Sequence, residues 1–365
     1  MILSETQSVF FKELPSNINS ISLSNFIIKP QIMATVSTTK IGVPGNKVSV
    51  PRIGLGTVPM SAVYGNVDDE ESIKVLNHAI DIGCTFWDTA DIYGLGHNEK
   101  LLSRVLKERR SEVFVGTKFG LTARESSLVD GGNFMDYING INGKPEYVRK
   151  CAEDSLERLG IDYIDLYYIH RIDPTTPLED TIAAMAELVK EGKVKYIGLS
   201  ECTAEQIRFA HKVHPISAVQ IEYSAWTTDA ETDGVLDTCR ELDITVVAYS
   251  PLGHGALTGN IRKIEDLDKD DWRRKNSRFT GENYENNLKL VDGIEAMAKK
   301  YNRKAGQLAL AWLLAQHNNL IVIPGTKRPK YLEENVASGQ IKLSAEDLKE
   351  LRKLVDGANI QGTRY

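Results

Sequence analysis

Apolar and polar positions change rhythm again and again along this chain. Short apolar runs of strand length, at residues 52–57, 84–87, 113–118, 165–169, 194–199, 218–222, 244–249 and 320–323, are rich in β-branched and aromatic residues. Between them lie longer stretches with apolar positions at helical spacing. Ile73, Leu76 and Ile80 form one such stripe, behind an acidic opening at Asp68-Asp69-Glu70-Glu71 that suits the positive end of a helix. Further helices are predicted at 98–107, 145–159, 177–190, 204–213, 232–242, 288–301, 304–316 and 344–355. Pro145 sits near a first turn, Gly160 and Gly192 stand at helix ends, and Ser344-x-x-Asp347 is an acidic capping box. A strand–helix rhythm at this spacing predicts a parallel sheet. Open doubly wound sheets share it. Eight βα units favour a closed (β/α)8 TIM barrel, an α/β fold.

Four segments break the rhythm. Residues 1–38 are rich in Ser, Asn, Ile and Phe, show no helical period and contain no arginine, a poor match to a mitochondrial presequence. A disordered N-terminal extension is expected there, followed by one barrel domain over 39–365. Two extended runs flank Pro44-Gly45-Asn46-Lys47 and predict a hairpin. The Gly- and Asn-rich stretch 121–144 reads as an excursion over the mouth of the barrel. The mixed-charge stretch 266–287 reads as a mobile insertion, and the tail 357–365 as either a cover for the pocket or a disordered end.

The chemistry gathers where strands stop. The run ending at Trp87 leads into Asp88, with Tyr93 five residues on. The next run closes on Lys118, and the one after on His170. In a parallel barrel these ends share the face that carries the active site. A carboxylate at the end of a buried strand is costly without a cation. Lys118 is the obvious partner for Asp88, and Asp91 is the competing acid. A tyrosine ionises near pH 10, and a neighbouring ammonium lowers that value. Tyr93 beside Lys118 is therefore expected to have a lowered pKa and to donate a proton to a carbonyl oxygen, with His170 orienting the carbonyl or relaying the proton.

Asp88-Thr89-Ala90-x-x-Tyr93-Gly94, Lys118 closing its strand, and Tyr168-Ile169-His170 resemble the aldo-keto reductase superfamily, in its microbial and fungal branch. Gly198-Leu199-Ser200, Val219-Gln220-Ile221-Glu222-Tyr223-Ser224, Ala248-Tyr249-Ser250-Pro251-Leu252 and Ile323-Pro324-Gly325-Thr326 match in the family's order. The resemblance implies a (β/α)8 barrel plugged at the bottom by the N-terminal hairpin. It implies NADPH-dependent reduction of aldehydes or ketones, an NADP-dependent oxidoreductase acting on CH-OH groups, with Tyr93 as general acid and Asp88, Lys118 and His170 as its partners. Ser200 and Gln220 carry side chains able to bond both ends of a carboxamide, and the resemblance assigns them to the nicotinamide amide. It puts Glu201 where the family has asparagine. Tyr249 would stack on the nicotinamide ring, and Thr57, Ser250, Leu252 and Gly253 would line the cofactor. Gly325, Thr326 and Lys327, with Arg328 and Lys330 as helpers, would hold the adenosine 2′-phosphate. Tyr331, Glu334 and Asn335 would lie at the adenine end. Tyr64, Arg171 and Trp226 are candidates for the substrate mouth, with Met60 as a further loop residue. Arg171 suits an anionic substrate group, or else pairs with Asp173.

Composition narrows the partners. A net charge of −6 argues against nucleic acid or an anionic membrane surface, and no apolar run reaches the length of a membrane span. Cys84, Cys151, Cys202 and Cys239 are too scattered for a Cys-x-x-Cys site and suit a reducing cytoplasm. His211 and His214 share a helix face but have no third ligand at suitable spacing, so no metal is expected. A small carbonyl substrate and a monomer or weak homo-oligomer are the expected partners and state. Two other functions share these residues: a cofactor-keeping binding module of the channel β-subunit type, and a barrel lyase with Lys118 as Schiff-base nucleophile.

Overall fold

The computed structural model describes residues 36–61, 67–123, 138–269 and 271–364. The chain divides between Thr35 and Val36. Nearly all of the expected extension, the tip of the excursion 121–144, and Tyr64 lie outside the described residues. The hairpin is formed by β1 (Thr38–Val43) and β2 (Asn46–Pro51), paired antiparallel around Pro44-Gly45. The barrel strands then follow as β3 (Leu55–Gly56), β4 (Phe86–Asp88) and β5 (Phe114–Phe119). A second hairpin of β6 (Leu121–Ala123) and β7 (Ile138–Ile141) forms the arms of the excursion. The barrel resumes with β8 (Ile164–Ile169), β9 (Val194–Ser200), β10 (Ala218–Glu222), β11 (Thr245–Tyr249) and β12 (Leu320–Val322).

The eight barrel strands bond in sequence order, every neighbouring pair parallel. Parallel bridges Ile53↔Val322 and Gly56↔Gly325 then join the first strand to the last. Gly54 N–H donates to Val322 O at 2.9 Å, and Val322 N–H to Arg52 O at 2.9 Å. This seam excludes the open doubly wound sheet. It also needs glycine. A Cβ on Gly54 would sit 2.6 Å from Phe86 O, and one on Gly56 2.7 Å from Ile323 O, closer than backbones tolerate.

The hairpin closes the N-terminal end of the barrel. Ile41 and Val50 pack with Phe86, Leu166, Tyr168, Tyr196, Val247 and Ile321 in the barrel interior. Each such aliphatic burial stabilises by about 1.5–3 kcal/mol. Thr39 Oγ1 donates to Asn319 Oδ1 at 3.0 Å, and Thr245 Oγ1 to Lys40 O at 3.3 Å, pinning the hairpin to the feet of β11 and β12.

Local signals set most helix limits. Asp68 Oδ1 accepts from Glu70 N and Glu71 N and caps Asp69–Asp81. Pro145–Leu159 starts on its proline and stops where Gly160 turns left-handed at φ 64°. The helix predicted to start at 288 instead spans Gly281–Lys300. Its first two turns are polar in sequence but bury Tyr284 and Asn287. Asn287 Nδ2 donates to Arg278 O at 3.1 Å and to Gln361 O at 2.9 Å, so contacts distant in sequence begin the helix early. The stretch 266–287 likewise forms short 3-10 turns at Trp272–Lys275 and Ser277–Phe279 before it joins this helix. Among the described residues no helix is long and apolar enough to cross a membrane, and the four cysteines are buried free thiols. His211 Nδ1 accepts from Ile216 N at 3.1 Å, a structural use of that ring.

Candidate active site

Register brings the titratable strand ends together. Asp88 pairs with Gly56 on one side and Gly116 on the other, and Lys118 pairs with Tyr168 two residues before His170. The loop from Thr89 to Tyr93 is tied down at its start, with Thr89 N donating to Gly116 O at 2.9 Å and Asp91 N to Lys118 O at 3.1 Å. Asn98, which the sequence did not single out, locks the loop from behind. It is fully buried, its Nδ2 donates to Thr57 O and Ser61 Oγ, and its Oδ1 accepts from Thr89 Oγ1 at 2.7 Å. The Thr57 hydroxyl is committed to this strut, 2.8 Å from Asp88 O and 2.5 Å from Asn98 Oδ1. It braces the site, whereas its neighbours Gly56 and Val58 line the cavity.

Lys118 is wholly buried, and its ammonium donates to Asp88 Oδ1 at 2.5 Å, Thr89 O at 2.7 Å and Tyr93 Oη at 3.1 Å. An ammonium has three protons, so all three are used. Gln220 Nε2 donates to Asp88 Oδ2 at 2.7 Å. Asp91 makes no ion pair with Lys118. Burial, reinforced by Glu99 and opposed by Arg158, pushes its carboxyl up to about 8. The His170 ring meets the Tyr93 ring edge-on, centroids 5.9 Å apart at 82°.

Burial governs the charges here. It pulls the Lys118 amine down, but Asp88 and Tyr93 outweigh it and hold the ammonium above its ordinary range. It pushes Asp88 up against the Lys118 charge and the Gln220 N–H. Tyr93 departs from the sequence expectation: desolvation outweighs Lys118 and the phenol is raised, not lowered. Desolvation, Lys118 and Arg171 together keep the His170 imidazole well below its usual value and therefore neutral.

These residues stand in a cavity of about 1110 Å³ whose wall includes Asp88, Tyr93, His170 and Arg171. Ser200, Gln220, Tyr249, Ser250 and Leu252 continue it. The Ser200 hydroxyl is buried without a hydrogen-bond partner among the described residues. Beyond β12, Gly325, Thr326, Lys327, Arg328, Tyr331, Glu334 and Asn335 line the far end, where the helix Pro329–Ala337 begins. Lys330 is exposed and outside the wall. Lys304, a residue the sequence did not suggest, ion-pairs with Glu334 and joins the wall. So do Asp271, Trp272 and Arg273 from the stretch 266–287.

Three sequence candidates are turned elsewhere. Glu201 follows Ser200 in a left-handed conformation, φ 49°. Its carboxylate accepts from Glu222 N at 2.8 Å and from Arg364 at 3.2 Å, and it does not line the cavity. Trp226 is buried behind the wall, packed on Phe279 and Tyr284 with ring centroids 5.4 and 6.4 Å away. Gly253 lies under it: a Cβ there would come within 3.2 Å of the indole. Arg171 does not pair with Asp173, whose carboxylate is taken by Gly143 N, Thr175 and Thr176.

The likeness to known proteins covers the same ground. The model of the aldo/keto reductase family matches residues 52–356. Aldo-keto reductase yakc [NADP(+)] of Schizosaccharomyces pombe is 45% identical over 335 residues, 91% of this chain and 95% of that one. Aldo-keto reductase str7 of Strobilurus tenacellus is 45% identical over 324 residues, 87% and 91% of the two chains. The solved glycerol dehydrogenase AKR11B4 from Gluconobacter oxydans superposes with a TM-score of 0.78 at 28% identity, over 89% of this chain and 97% of that one. The thermostable aldo-keto reductase Tm1743, in complex with the inhibitor epalrestat, has a TM-score of 0.67 at 32% identity, over 87% and 100%. With a closed barrel seam, polar strand ends on one rim and relatives matched over nearly their whole length, this chain belongs to the aldo/keto reductase family.

Proposed function

We propose that this protein reduces an aldehyde or ketone with NADPH, Tyr93 being the proton donor. The observation that carries the reading is the buried Lys118 ammonium bonded at once to Asp88 and to the Tyr93 hydroxyl, two residues that themselves line a cavity large enough for a dinucleotide and a substrate. The residues present fit the cofactor. The unpartnered Ser200 hydroxyl and the Gln220 carbonyl oxygen suit a carboxamide, and Lys327 and Arg328 at a helix start suit a phosphate. Bound NADPH supplies the hydride. The chain supplies the rest: Tyr93 Oη gives its proton to the carbonyl oxygen, Lys118 holds that oxygen's donor in place, and neutral His170 offers a ring N–H without adding charge. Asp88 fixes the ammonium, and Gln220 fixes Asp88. The Schiff-base alternative needs a neutral amine with a free lone pair. Lys118 has all three protons engaged and is held charged, which speaks against it. Loss of NADPH absorbance with a panel of aromatic aldehydes, α-dicarbonyls and pyridoxal tests the reading. No turnover with any of them, despite cofactor binding, favours the binding-module alternative.

The cations after β12 lead to a preference for NADPH over NADH of at least ten-fold in kcat/KM. Charge-assisted bonds are worth roughly 1.5–3 kcal/mol each. Burial lowers the pKa of half-buried Lys327, and the neighbouring Arg328 charge adds to that. An incoming dianion relieves that repulsion. Lys327→Ala should cut efficiency with NADPH and spare NADH. Parallel loss with both cofactors would count against the assignment.

Arg171 deepens the substrate reading. It lies beside Tyr93 and His170, its NH1 donates to His170 O at 2.8 Å, and it makes no ion pair among the described residues. Its position after β8, four strands from the phosphate-binding end, leaves it for the substrate. An aldehyde bearing a carboxylate should be reduced about ten-fold more efficiently than its methyl ester, and Arg171→Gln should abolish that difference while leaving the ester's rate within about three-fold, as expected for one lost charge-assisted bond. An unchanged ratio in the variant would remove Arg171 from the substrate site.

A further inference from the structure

Directly after Ser200, which ends β9, stands a glutamate, Glu201, and the segment Asn359–Arg364 answers it. That segment runs along the barrel mouth, fixed by backbone and side-chain bonds: Gln361 N donates to Asn287 Oδ1 at 2.8 Å, Thr363 N to Ser277 Oγ at 2.8 Å, and Asn276 Nδ2 to Arg364 O at 3.0 Å. These bonds deliver the Arg364 guanidinium to two carboxylates. Its Nε donates to Glu222 Oε2 at 3.0 Å, and its NH2 lies 3.2 Å from both oxygens of Glu201. Glu222 is nearly inaccessible, with Arg278 and His254 each 3.9 Å from its other oxygen.

What Arg364 holds is a turn. Glu201 follows β9 with φ 49°, a conformation that costs a residue with a Cβ. Its N–H donates to Gln220 O at 3.0 Å, and its carboxylate takes the Glu222 N–H at 2.8 Å. The turn therefore clips the end of β9 to the end of β10, where Ser200 and Gln220 face the cavity. Without its arginine, Glu201 would be a partly buried carboxylate with one backbone partner, next to the serine whose hydroxyl is open to a ligand.

We propose that Arg364 is a positioning residue for the carboxamide end of the cofactor cavity: by neutralising and anchoring Glu201 it keeps the turn after β9 clipped to the end of β10 and the Ser200 hydroxyl aimed at the ligand. Asparagine at this position would be neutral and would need no such cation. Glu201 and the arginine-bearing segment thus form one unit. The proposal rests on the NADPH reading given above, and NADPH binding to the wild-type chain is measured first. Failure there overturns that reading, and this one with it.

The test uses the full chain and NADPH fluorescence titration. Arg364→Met should raise the dissociation constant for NADPH at least ten-fold while kcat at saturating NADPH falls less than three-fold. Arg364→Lys, which keeps the charge but not the two-pronged grip, should lie between. The decisive variant is the double substitution Glu201→Gln with Arg364→Met. It removes the stranded charge and keeps an acceptor for Glu222 N, and should recover most of the lost affinity. A merely structural arginine would not show that recovery. Binding by Arg364→Met within two-fold of wild type, or an undiminished loss in the double variant, overturns the proposal. If Arg364→Met does not fold, as read by circular dichroism, Arg364→Lys against Glu201→Gln with Arg364→Lys makes the same comparison.

Discussion

Tyr93→Phe is expected to lower the turnover of carbonyl reduction by about a hundred-fold or more, the usual size of a general-acid effect, with little change in NADPH affinity. Only the hydroxyl is removed. The ring keeps its edge contact with His170 and its place over Lys118, whose Nζ lies 4.8 Å from the ring centroid. The raised phenol pKa gives the wild-type pH profile a definite sign. Reduction needs the protonated phenol, and burial pushes its ionisation above the ordinary value near 10. Reduction should therefore stay level from neutral pH up through about pH 9 and fall only beyond it, whereas alcohol oxidation, which needs the phenolate, should rise over the same range. Neutral His170 should add no inflection near its usual pKa. A variant within a few-fold of wild type would remove Tyr93 from the reaction. A wild-type reduction rate already falling by pH 8 would mean that Lys118 outweighs burial after all.

Lys118→Met is expected to remove nearly all turnover and to destabilise the fold. Methionine matches the aliphatic stem but not the charge. Tyr93 loses its nearest donor, and Asp88, 2% exposed, is left with Gln220 Nε2 as its side-chain partner. Breaking a buried pair from one side typically costs about 3–5 kcal/mol, because the surviving charge has no water to turn to. Protonation of Asp88, already pushed up by burial, would soften that cost. Urea unfolding at neutral pH measures the loss. The companion Asp88→Asn with Lys118→Met should unfold later than Lys118→Met alone while remaining inactive, since it removes the stranded charge without restoring the ammonium beside Tyr93. Turnover above about a tenth of wild type in Lys118→Met would refute the role given to the ammonium, whose effect on a general acid should be of the order expected for such catalysis.

By itself the sequence determined the barrel and its polar rim. Strand and helix periods are local properties, set by which face of a few residues meets apolar surroundings, so β8 and the helix Pro145–Leu159 could be read almost residue for residue. Asp88, Lys118 and His170 were legible because each closes an apolar run, and parallel strands bring such ends to one rim. Tertiary structure decided what depends on distant neighbours. Glu201 looks like a cavity residue from its place after Ser200, yet a cation 163 positions away claims it. Trp226 looks like a rim aromatic until Phe279 and Tyr284 cover it. The helix Gly281–Lys300 starts early because Asn287 finds partners at Arg278 and Gln361. Whether Lys118 lowers the Tyr93 phenol or burial raises it depends on how much water reaches the pair, and that exclusion exists only once eight strands have closed around them.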